Sequence, residues 1–124
     1  MTFFPGKPNA PEVSLEGSSA HLSWTEPRET GNAPITNYVI EYKPIGDVRW
    51  RCANVGKPCT SRVYTVENLA EGSEIEFRIS AENKAGVGPA STPSKSVLYG
   101  VYYFFYFYVS NILFFMFRLI LYTF

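Results

Sequence analysis

The chain has 124 residues, and its eleven basic and eleven acidic side chains give a formal net charge of zero. This length suits one domain of about 100 residues, which is the common domain size. The balanced charge provides no basic field for nucleic acid, so we predict that the chain has no nucleic-acid partner.

Short strands separated by turns are predicted along most of the chain. Pro5, Pro8 and Pro11 indicate an extended lead-in. After them, apolar and polar residues alternate with the period of two that is typical of half-buried strands, and glycines and prolines mark the turns. The predicted strands cover residues 13–15, 19–24, 35–43, 49–52, 62–69, 74–82 and 90–99.

The clearest alternation lies at residues 74–82. Ile75, Phe77, Ile79 and Ala81 share one face, and the charged and polar residues between them share the other. A helix is disfavoured because an apolar stripe with a period of 3.6 residues would have to include a charged side chain. We therefore predict a strand with one buried face and one solvated face.

Seven short strands without a helical pattern predict an all-β fold, an antiparallel β-sandwich of about 95 residues. The sequence has no Cys…Trp…Cys pattern, which excludes the antibody type of sandwich. The predicted core contains Leu22, Trp24, Tyr38, Ile40, Tyr42, Tyr64, Val66, Leu69, Phe77, Ile79 and Val97.

The two cysteines, Cys52 and Cys59, stand seven positions apart. Two cysteines are too few for a disulfide scaffold, and no Cys-x-x-Cys pair exists for zinc. They could form a bridge across a short hairpin only if their Cα atoms came within about 7 Å of each other. We favour two unpaired thiols.

Catalysis has little support in the sequence. An enzyme needs a nucleophile with a base, paired acids or a metal cluster. The single histidine, His21, falls on the solvated face of a predicted strand, and Glu74 and Glu76 accompany Arg78 on another solvated face. We predict that the chain is not an enzyme and has no catalytic residue, no cofactor and no metal site.

Three groups of residues resemble the fibronectin type III family. Two of them are Ser23-Trp24-x-x-Pro27 and Pro34-Ile35-x-x-Tyr38-x-Ile40-x-Tyr42. The third is Leu69-x-Glu71-Gly72-x-x-x-x-Phe77-Arg78-Ile79-x-Ala81-x-Asn83-x-x-Gly86-x-Gly88-Pro89. The strand with Trp50 and the Gly-x-x-Pro-Ile lead into the third strand are similar to modules of the giant muscle proteins of the titin and twitchin group.

The resemblance covers residues 5–99 and implies an immunoglobulin-like sandwich of seven strands in two sheets, without catalysis or a cofactor. The family usually has a tyrosine at the position of Ile75, and its hydroxyl group ties the preceding turn to the strand. Isoleucine lacks this hydrogen bond, which is worth about 0.5–1.5 kcal/mol net. We expect the fold to survive with lower stability.

Residues 100–124 form a hydrophobic, aromatic tail. Ser96 to Phe117 is a stretch of 22 residues without a charged side chain, which exceeds the roughly 20 residues of a membrane-spanning helix. The N-terminus has no apolar run of signal-peptide length, so such a helix would be a C-terminal anchor that leaves the module in the cytosol.

Another interpretation of the tail is translated non-coding sequence at the end of a fragment. Thirteen of the last 26 residues are Phe or Tyr, and tyrosine disfavours the middle of a bilayer. Phe, Tyr, Ile, Leu and Asn, which occur in the tail, are also the residues that A/T-rich codons specify, as expected of translated non-coding sequence. If the tail is ordered, we predict that it is helical.

The resemblance implies a structural and protein-interaction module of a cytoplasmic, sarcomeric protein. Its implied partners are neighbouring immunoglobulin-like or fibronectin modules and filament proteins such as myosin. The alternative is a membrane-anchored adhesion or receptor-type protein with one fibronectin type III module and a single C-terminal span.

Five residues are candidates for contact with a protein partner. Arg49, Trp50 and Arg51 are consecutive, and we expect an exposed indole whose position between two arginines allows cation–π contact. Lys84 and Val87 belong to the loop at residues 83–89. The loop at residues 26–34 is a further candidate.

Overall fold

The computed structural model describes residues 1–70, 72–98, 104–109 and 112–117. These parts of the chain contain ten strands and no helix. The strands are β1 (Glu12–Glu16), β2 (Ser19–Ser23), β3 (Asn37–Pro44), β4 (Arg51–Cys52), β5 (Val63–Glu67), β6 (Glu74–Asn83), β7 (Gly86–Val87), β8 (Val97–Leu98), β9 (Phe104–Val109) and β10 (Ile112–Phe117).

The first eight strands form two antiparallel sheets. One sheet has the order β1-β2-β5, and the other has the order β4-β3-β6-β7, with β8 also paired to β6. The longest pairing joins β3 to β6, from Asn37 opposite Glu82 to Pro44 opposite Ile75. The prediction of an all-β fold with two sheets is therefore confirmed.

The alternation predicted at residues 74–82 is the pattern that the structure shows. Ile75, Phe77, Ile79 and Ala81 are buried in the core, while Glu76 and Arg78 are partly exposed on the outer face of β6. Strand residues point to opposite faces in turn, so the register with β3 fixes which side chains face solvent.

The core lies between the two sheets and contains most of the predicted residues. Trp24 packs edge-on against Tyr38, with ring centroids 5.5 Å apart. Tyr42 and Tyr64 differ from the prediction, because they are only partly buried at the edge of the core. The core also contains Ala20, Cys59, Ile75 and Ala81, which the predicted list left out.

The structure describes residues 90–98 of the last predicted strand, residues 90–99, and within them only Val97–Leu98 is a regular strand. The segment before it pairs with β6 through side chains as well as backbone. The backbone N–H groups of Phe77 and Ile79 donate to Ser94 Oγ and Ser91 Oγ, at 3.0 Å each. These hydroxyl groups take the place of backbone carbonyls, because Pro93 interrupts regular pairing.

The predicted strand at residues 49–52 is regular only at Arg51–Cys52, and a side chain continues the pairing beyond it. Asn54 is buried, its Oδ1 accepts the backbone N–H of Ile40 at 3.0 Å, and its Nδ2 donates to the carbonyl oxygen of Tyr38 at 2.8 Å. The amide thus supplies a donor and an acceptor to β3 where the neighbouring strand has ended.

Both cysteines are free thiols, as predicted. Cys52 is exposed on β4, whereas Cys59 is buried in the core. Burial without a pairing partner is common for cysteine, which packs as a small apolar residue.

The tail does not follow the helical prediction where the structure describes it. β9 and β10 are antiparallel strands paired from Phe104 opposite Phe117 to Val109 opposite Ile112. Aromatic and β-branched residues favour strands, which is a physical reason for this outcome. Within the described residues, no helix has the length and apolar character needed to cross a membrane.

Candidate interaction surfaces

The outer face of the β3–β6 pair carries two cross-strand ion pairs. Lys43 Nζ lies 2.9 Å from Glu76 Oε1, and Arg78 Nε donates to Glu41 Oε1 at 2.9 Å. Each pair consists of residues directly opposite each other in the register, a position at which opposite charges stabilise a sheet. The opposite charges on this surface therefore neutralise each other in pairs.

The indole of Trp50 lies close to both cations of this face. Arg78 Cζ is 4.3 Å from the ring centroid, and Lys43 Nζ is 5.2 Å from it. Both distances fall within the range of cation–π attraction. We call this group of five residues the tryptophan face: Glu41, Lys43, Trp50, Glu76 and Arg78.

The surroundings of Trp50 differ from those considered in the sequence in two respects. The side chain is half-buried rather than fully exposed, and its cationic partners come from β3 and β6 rather than from the flanking arginines. The physical reason is that neighbouring residues in an extended chain point in opposite directions.

Arg49 and Arg51 are exposed, as predicted, but the cations over the indole of Trp50 are Lys43 and Arg78. Arg51 stands opposite Tyr42 in the register and places its Nη2 atom 3.7 Å from Asp47 Oδ2. The backbone N–H of Arg49 donates to Asp47 Oδ1 at 3.3 Å. Asp47 thus organises the turn that carries both arginines.

Lys84 and Val87 lie in and after the tight connection between β6 and β7, and both are exposed. Val87 stands opposite Glu82 in the register, so it belongs to the end of the sheet where β6 finishes. The structure therefore places these two candidates far along β6 from Glu76 and Arg78.

The N-terminal segment, residues 1–6, is held against this end of the sandwich. The backbone N–H of Phe3 donates to the carbonyl oxygen of Gly31 at 2.9 Å, and that of Gly6 donates to Glu29 at 2.8 Å. Asn83 is buried, and its Nδ2 donates to the carbonyl oxygens of Phe3 and Thr30 at 2.7 and 2.8 Å. One side chain therefore joins the N-terminal segment to a loop and to β6.

Two glycines make this close approach sterically feasible. A Cβ atom on Gly31, which has φ +80°, would overlap the carbonyl oxygen of Phe3. A Cβ atom on Gly88 would overlap the carbonyl oxygen of Pro5, and Pro5 itself is fully buried. The N-terminal segment is thus an integral part of the packed module.

Two aromatic side chains of this segment remain in solvent. Phe3 and Phe4 are both exposed, and a Cβ atom on Gly86 would lie 2.7 Å from Phe4 Cε1. The sequence reasoning missed both phenylalanines. Their signal was the proline-rich lead-in together with glycines at positions 31, 86 and 88, which are the positions that the segment approaches.

The sandwich has two ends, which we call its poles. The N-terminal pole consists of Phe3, Phe4 and Val87 with the adjoining loops. The C-terminal pole consists of Ile45 with β8, because the backbone N–H of Ile45 donates to the carbonyl oxygen of Glu74 at 2.8 Å and β8 pairs at Glu74. The described chain of the module therefore starts at one end of β6 and finishes at the other.

The side chain of His21 makes two contacts that the sequence did not predict. Its Nδ1 is 2.9 Å from Thr65 Oγ1, and its Nε2 is 3.0 Å from Glu16 Oε2. These three residues lie on adjacent strands of the first sheet, on its outer face. Cross-strand polar contacts of this kind stabilise sheets, and the described residues contain no cluster of potential metal ligands.

The phenol of Tyr38 lies in surroundings that shift its pKa. Burial raises the pKa of Tyr38 above its ordinary value, and the negative charge of Glu26 acts in the same direction. Arg62 opposes the shift. The folded state therefore favours the neutral phenol.

Comparison with known proteins identifies the fold. The profile of the fibronectin type III domain matches residues 6–97. Sidekick-2 from Gallus gallus is 38% identical over 95 residues, which is 75% of this chain and 4% of that protein. Myomesin-2 from Homo sapiens is 35% identical over 83 residues, which is 67% of this chain and 6% of that protein.

Solved structures agree with these matches. The crystal structure of domains A168–A170 from titin superposes with a TM-score of 0.72 at 34% identity. The match covers 78% of this chain and 32% of the titin chain. The chain thus spans a small fraction of the long proteins that it matches.

Proposed function

The chain belongs to the fibronectin type III family, and from this premise we propose that it is a non-enzymatic structural and protein-interaction module of a titin- or twitchin-like sarcomeric protein. The likeness to the titin domains, at 34% identity over most of the sandwich, is the observation that carries this proposal. The similarity to myomesin-2 supports it independently.

The proposed mechanism is mechanical and geometric. The N-terminal segment is pinned at one end of β6 and β8 pairs at the other, so a pull on both chain ends acts along the sandwich. Such a module spaces its neighbours and presents its faces to partners. We assign the fibronectin type III domain to residues 5–99, against which residues 1–4 are held through Phe3, and we treat residues 100–124 as a separate tail.

The proposed partners are neighbouring immunoglobulin-like or fibronectin modules and filament proteins such as myosin. Arg49 and Arg51 are exposed cations near the tryptophan face, and Lys84 is an exposed cation near Val87. A partner that presents carboxylates would pair with these cations. Trp50 contributes by holding Arg78 and Lys43 in place.

Localisation in muscle tests this proposal. An antibody raised against an exposed part of residues 1–98 should label a regular striation in isolated myofibrils, and it should detect a protein far larger than the 124-residue chain. Labelling of the surface of intact cells, without striation, would overturn the sarcomeric assignment.

A second candidate is a membrane-anchored adhesion or receptor-type protein with this module outside the membrane. The specific observation in its favour is the 38% identity to sidekick-2. Biotin applied to intact cells should then label the natural protein. The sarcomeric proposal expects labelling only after the cells are permeabilised, so one experiment separates the two candidates.

The tail has two proposed origins. It is either a membrane segment or translated non-coding sequence that follows the module, and sequencing of the transcript across Tyr99 and Gly100 tests them. A spliced message that continues into another module would contradict the membrane anchor. A message that encodes the tail and then stops would contradict the non-coding origin.

A further inference from the structure

We propose that the tail sheet, which consists of β9 and β10, is a self-association element that pairs along its strand edges with the tail sheet of a second copy of this chain. In the described part of the chain, Phe104–Val109 and Ile112–Phe117 form a two-stranded sheet of their own. Each copy would add two strands to a shared intermolecular sheet. The inference does not rest on the proposed function, because it concerns the tail and not the module.

Both outer edges of the tail sheet are open. Within the described residues β9 pairs with β10, from Phe104 opposite Phe117 to Val109 opposite Ile112, and neither strand pairs with a strand of the module. In an antiparallel pair, alternate residues direct their backbone N–H and C=O groups away from the partner strand. An exposed edge of this kind is a template for pairing with another chain, and two strands alone are marginally stable in water.

The sequence of the tail sheet is typical of strands that pair with copies of themselves. The strands read FFYFYV and ILFFMF, six residues each, and contain no charged residue, proline or glycine. Short segments with high β-propensity and these properties build intermolecular sheets from identical strands. Successive residues lie on opposite faces of a strand, so apolar and aromatic residues occupy both faces. Two copies therefore meet without repulsion between like charges.

The edges of the sandwich have the protection that the tail sheet lacks. β1, at the edge of the first sheet, follows Pro11 and has the exposed residues Glu12 and Glu16 at its ends. β4, at the edge of the second sheet, has only two residues, one of which is the exposed Arg51. Proline, charge and short length are features by which natural edge strands avoid pairing with other chains. This contrast places intermolecular pairing at the tail sheet rather than at the sandwich.

A second copy fits the tail sheet better than a lipid bilayer does. Hydrocarbon offers no hydrogen-bonding partner to the backbone groups of an open edge, and leaving them unpaired there is costly. An identical sheet supplies donors and acceptors at the same spacing, because the strands of both copies have the same length and period. Since both edges are open, pairing can continue from copy to copy, and we expect assemblies larger than a dimer.

Sedimentation velocity on the full 124-residue chain, over a wide range of concentrations in aqueous buffer, tests this proposal. The average mass should rise with concentration. The test variant combines Tyr106→Lys and Phe114→Lys. These residues belong to adjacent pairs of the register, so the variant puts one charge on each strand and on each face. Like charges then meet between copies, and the concentration needed for assembly should rise on the order of tenfold.

Two control variants separate edge pairing from nonspecific association. The combination of Tyr106→Leu and Phe114→Leu keeps both positions apolar, so it should assemble at a concentration similar to that of the parent chain. Val63→Lys puts a charge on an exposed residue of β5 in the sandwich, and it should also assemble like the parent. Folding of the sandwich is checked in every variant by its unfolding midpoint.

A second measurement detects the pairing without a substitution. Assemblies grown from a mixture of chains labelled with heavy carbon and chains labelled with heavy nitrogen should give nuclear magnetic resonance contacts between different copies. These contacts should fall within residues 104–109 and 112–117. Diffraction from the same material should show the spacing of about 4.7 Å between paired strands.

Three outcomes would overturn the proposal. The first is a chain that stays monomeric at every concentration. The second is assembly that the Tyr106→Lys and Phe114→Lys variant leaves unchanged, or that Val63→Lys weakens instead, which would assign the contact to the sandwich. The third is binding of the monomeric chain to phosphatidylcholine vesicles with loss of self-assembly, which would identify a bilayer as the occupant. None of these outcomes bears on the sarcomeric assignment of the module.

Discussion

Asn83 holds three parts of the module together, and its replacement by alanine tests this role. Its Nδ2 donates to the carbonyl oxygens of Phe3 and Thr30, and its Oδ1 accepts the N–H of Ala85 at 2.8 Å. The Asn83→Ala variant removes all three hydrogen bonds without adding bulk. The N-terminal segment and the loop at residues 26–34 then lose their shared anchor.

The expected loss of stability follows from the number of bonds. Each is worth about 0.5–1.5 kcal/mol net, so three give about 1.5–4.5 kcal/mol. Phe3 and Ala85 are exposed residues, so water can reach their backbone groups and replace some of the lost hydrogen bonds. We therefore expect a decrease of about 2 kcal/mol in the free energy of unfolding.

Urea denaturation monitored by tryptophan fluorescence measures this decrease. A loss of about 2 kcal/mol corresponds to a midpoint about 8–16 °C lower in a thermal scan of a domain of this size. Hydrogen exchange supplies a local readout, because the Gly6 amide, which donates to Glu29, should exchange far faster in the variant than in the parent.

The control variant is Asn9→Ala. Asn9 is exposed, and its Nδ2 makes one hydrogen bond, to Thr25 Oγ1 at 3.0 Å. We expect a loss below about 0.5 kcal/mol, as for most surface substitutions. If Asn83→Ala cost no more than Asn9→Ala, and the Gly6 amide remained protected, the role assigned to Asn83 would be refuted.

Three further predictions concern single side chains. Ile75→Tyr should raise the free energy of unfolding by about 0.5–1.5 kcal/mol by restoring the family's hydrogen bond, and an unchanged or lower urea midpoint would contradict this. Burial raises the pKa of Tyr38 in the folded state. The neutral phenol therefore makes its full contribution to the free energy of unfolding below about pH 10, and this contribution is lost as pH rises through the folded pKa. The Tyr38→Phe variant should therefore lose less stability between pH 9 and pH 11 (values on the order of the ordinary tyrosine pKa), and identical alkaline slopes would count against it. Trp50→Ala should cost about 1–2 kcal/mol because contacts with Lys43 and Arg78 are lost, and a loss below about 0.3 kcal/mol would show that the stacking is energetically unimportant.

The alternation of apolar and polar residues in the sequence was sufficient to predict strand β6 and its buried face. The alternation in residues 74–82 depends only on the period of two in an extended chain, and the structure buries Ile75, Phe77, Ile79 and Ala81 accordingly. The all-β class, the two free thiols and most of the core followed from similarly short-range signals. The helical prediction for the tail did not hold for β9 and β10, because uncharged length alone does not distinguish a helix from aromatic strands.

The exposure of the candidate contact residues was predicted only in part. Arg49, Arg51, Lys84 and Val87 are exposed, as expected, but Trp50 turns away from its sequence neighbours toward β3 and β6. A sequence pattern gives the face on which a residue lies but not the strand that will stand beside it. That neighbour is set by the order β4-β3-β6 in the sheet.

The sequence by itself thus determined the strand periodicity, the buried faces and the family, because these depend on residues close together in the chain. The tertiary structure alone decided the contacts between distant segments. Asn83 reaches Phe3 across 80 positions, and Trp50 meets Arg78 only after two strands have paired with β3. Such contacts form when folding brings these segments together, and no local pattern in the sequence specifies them.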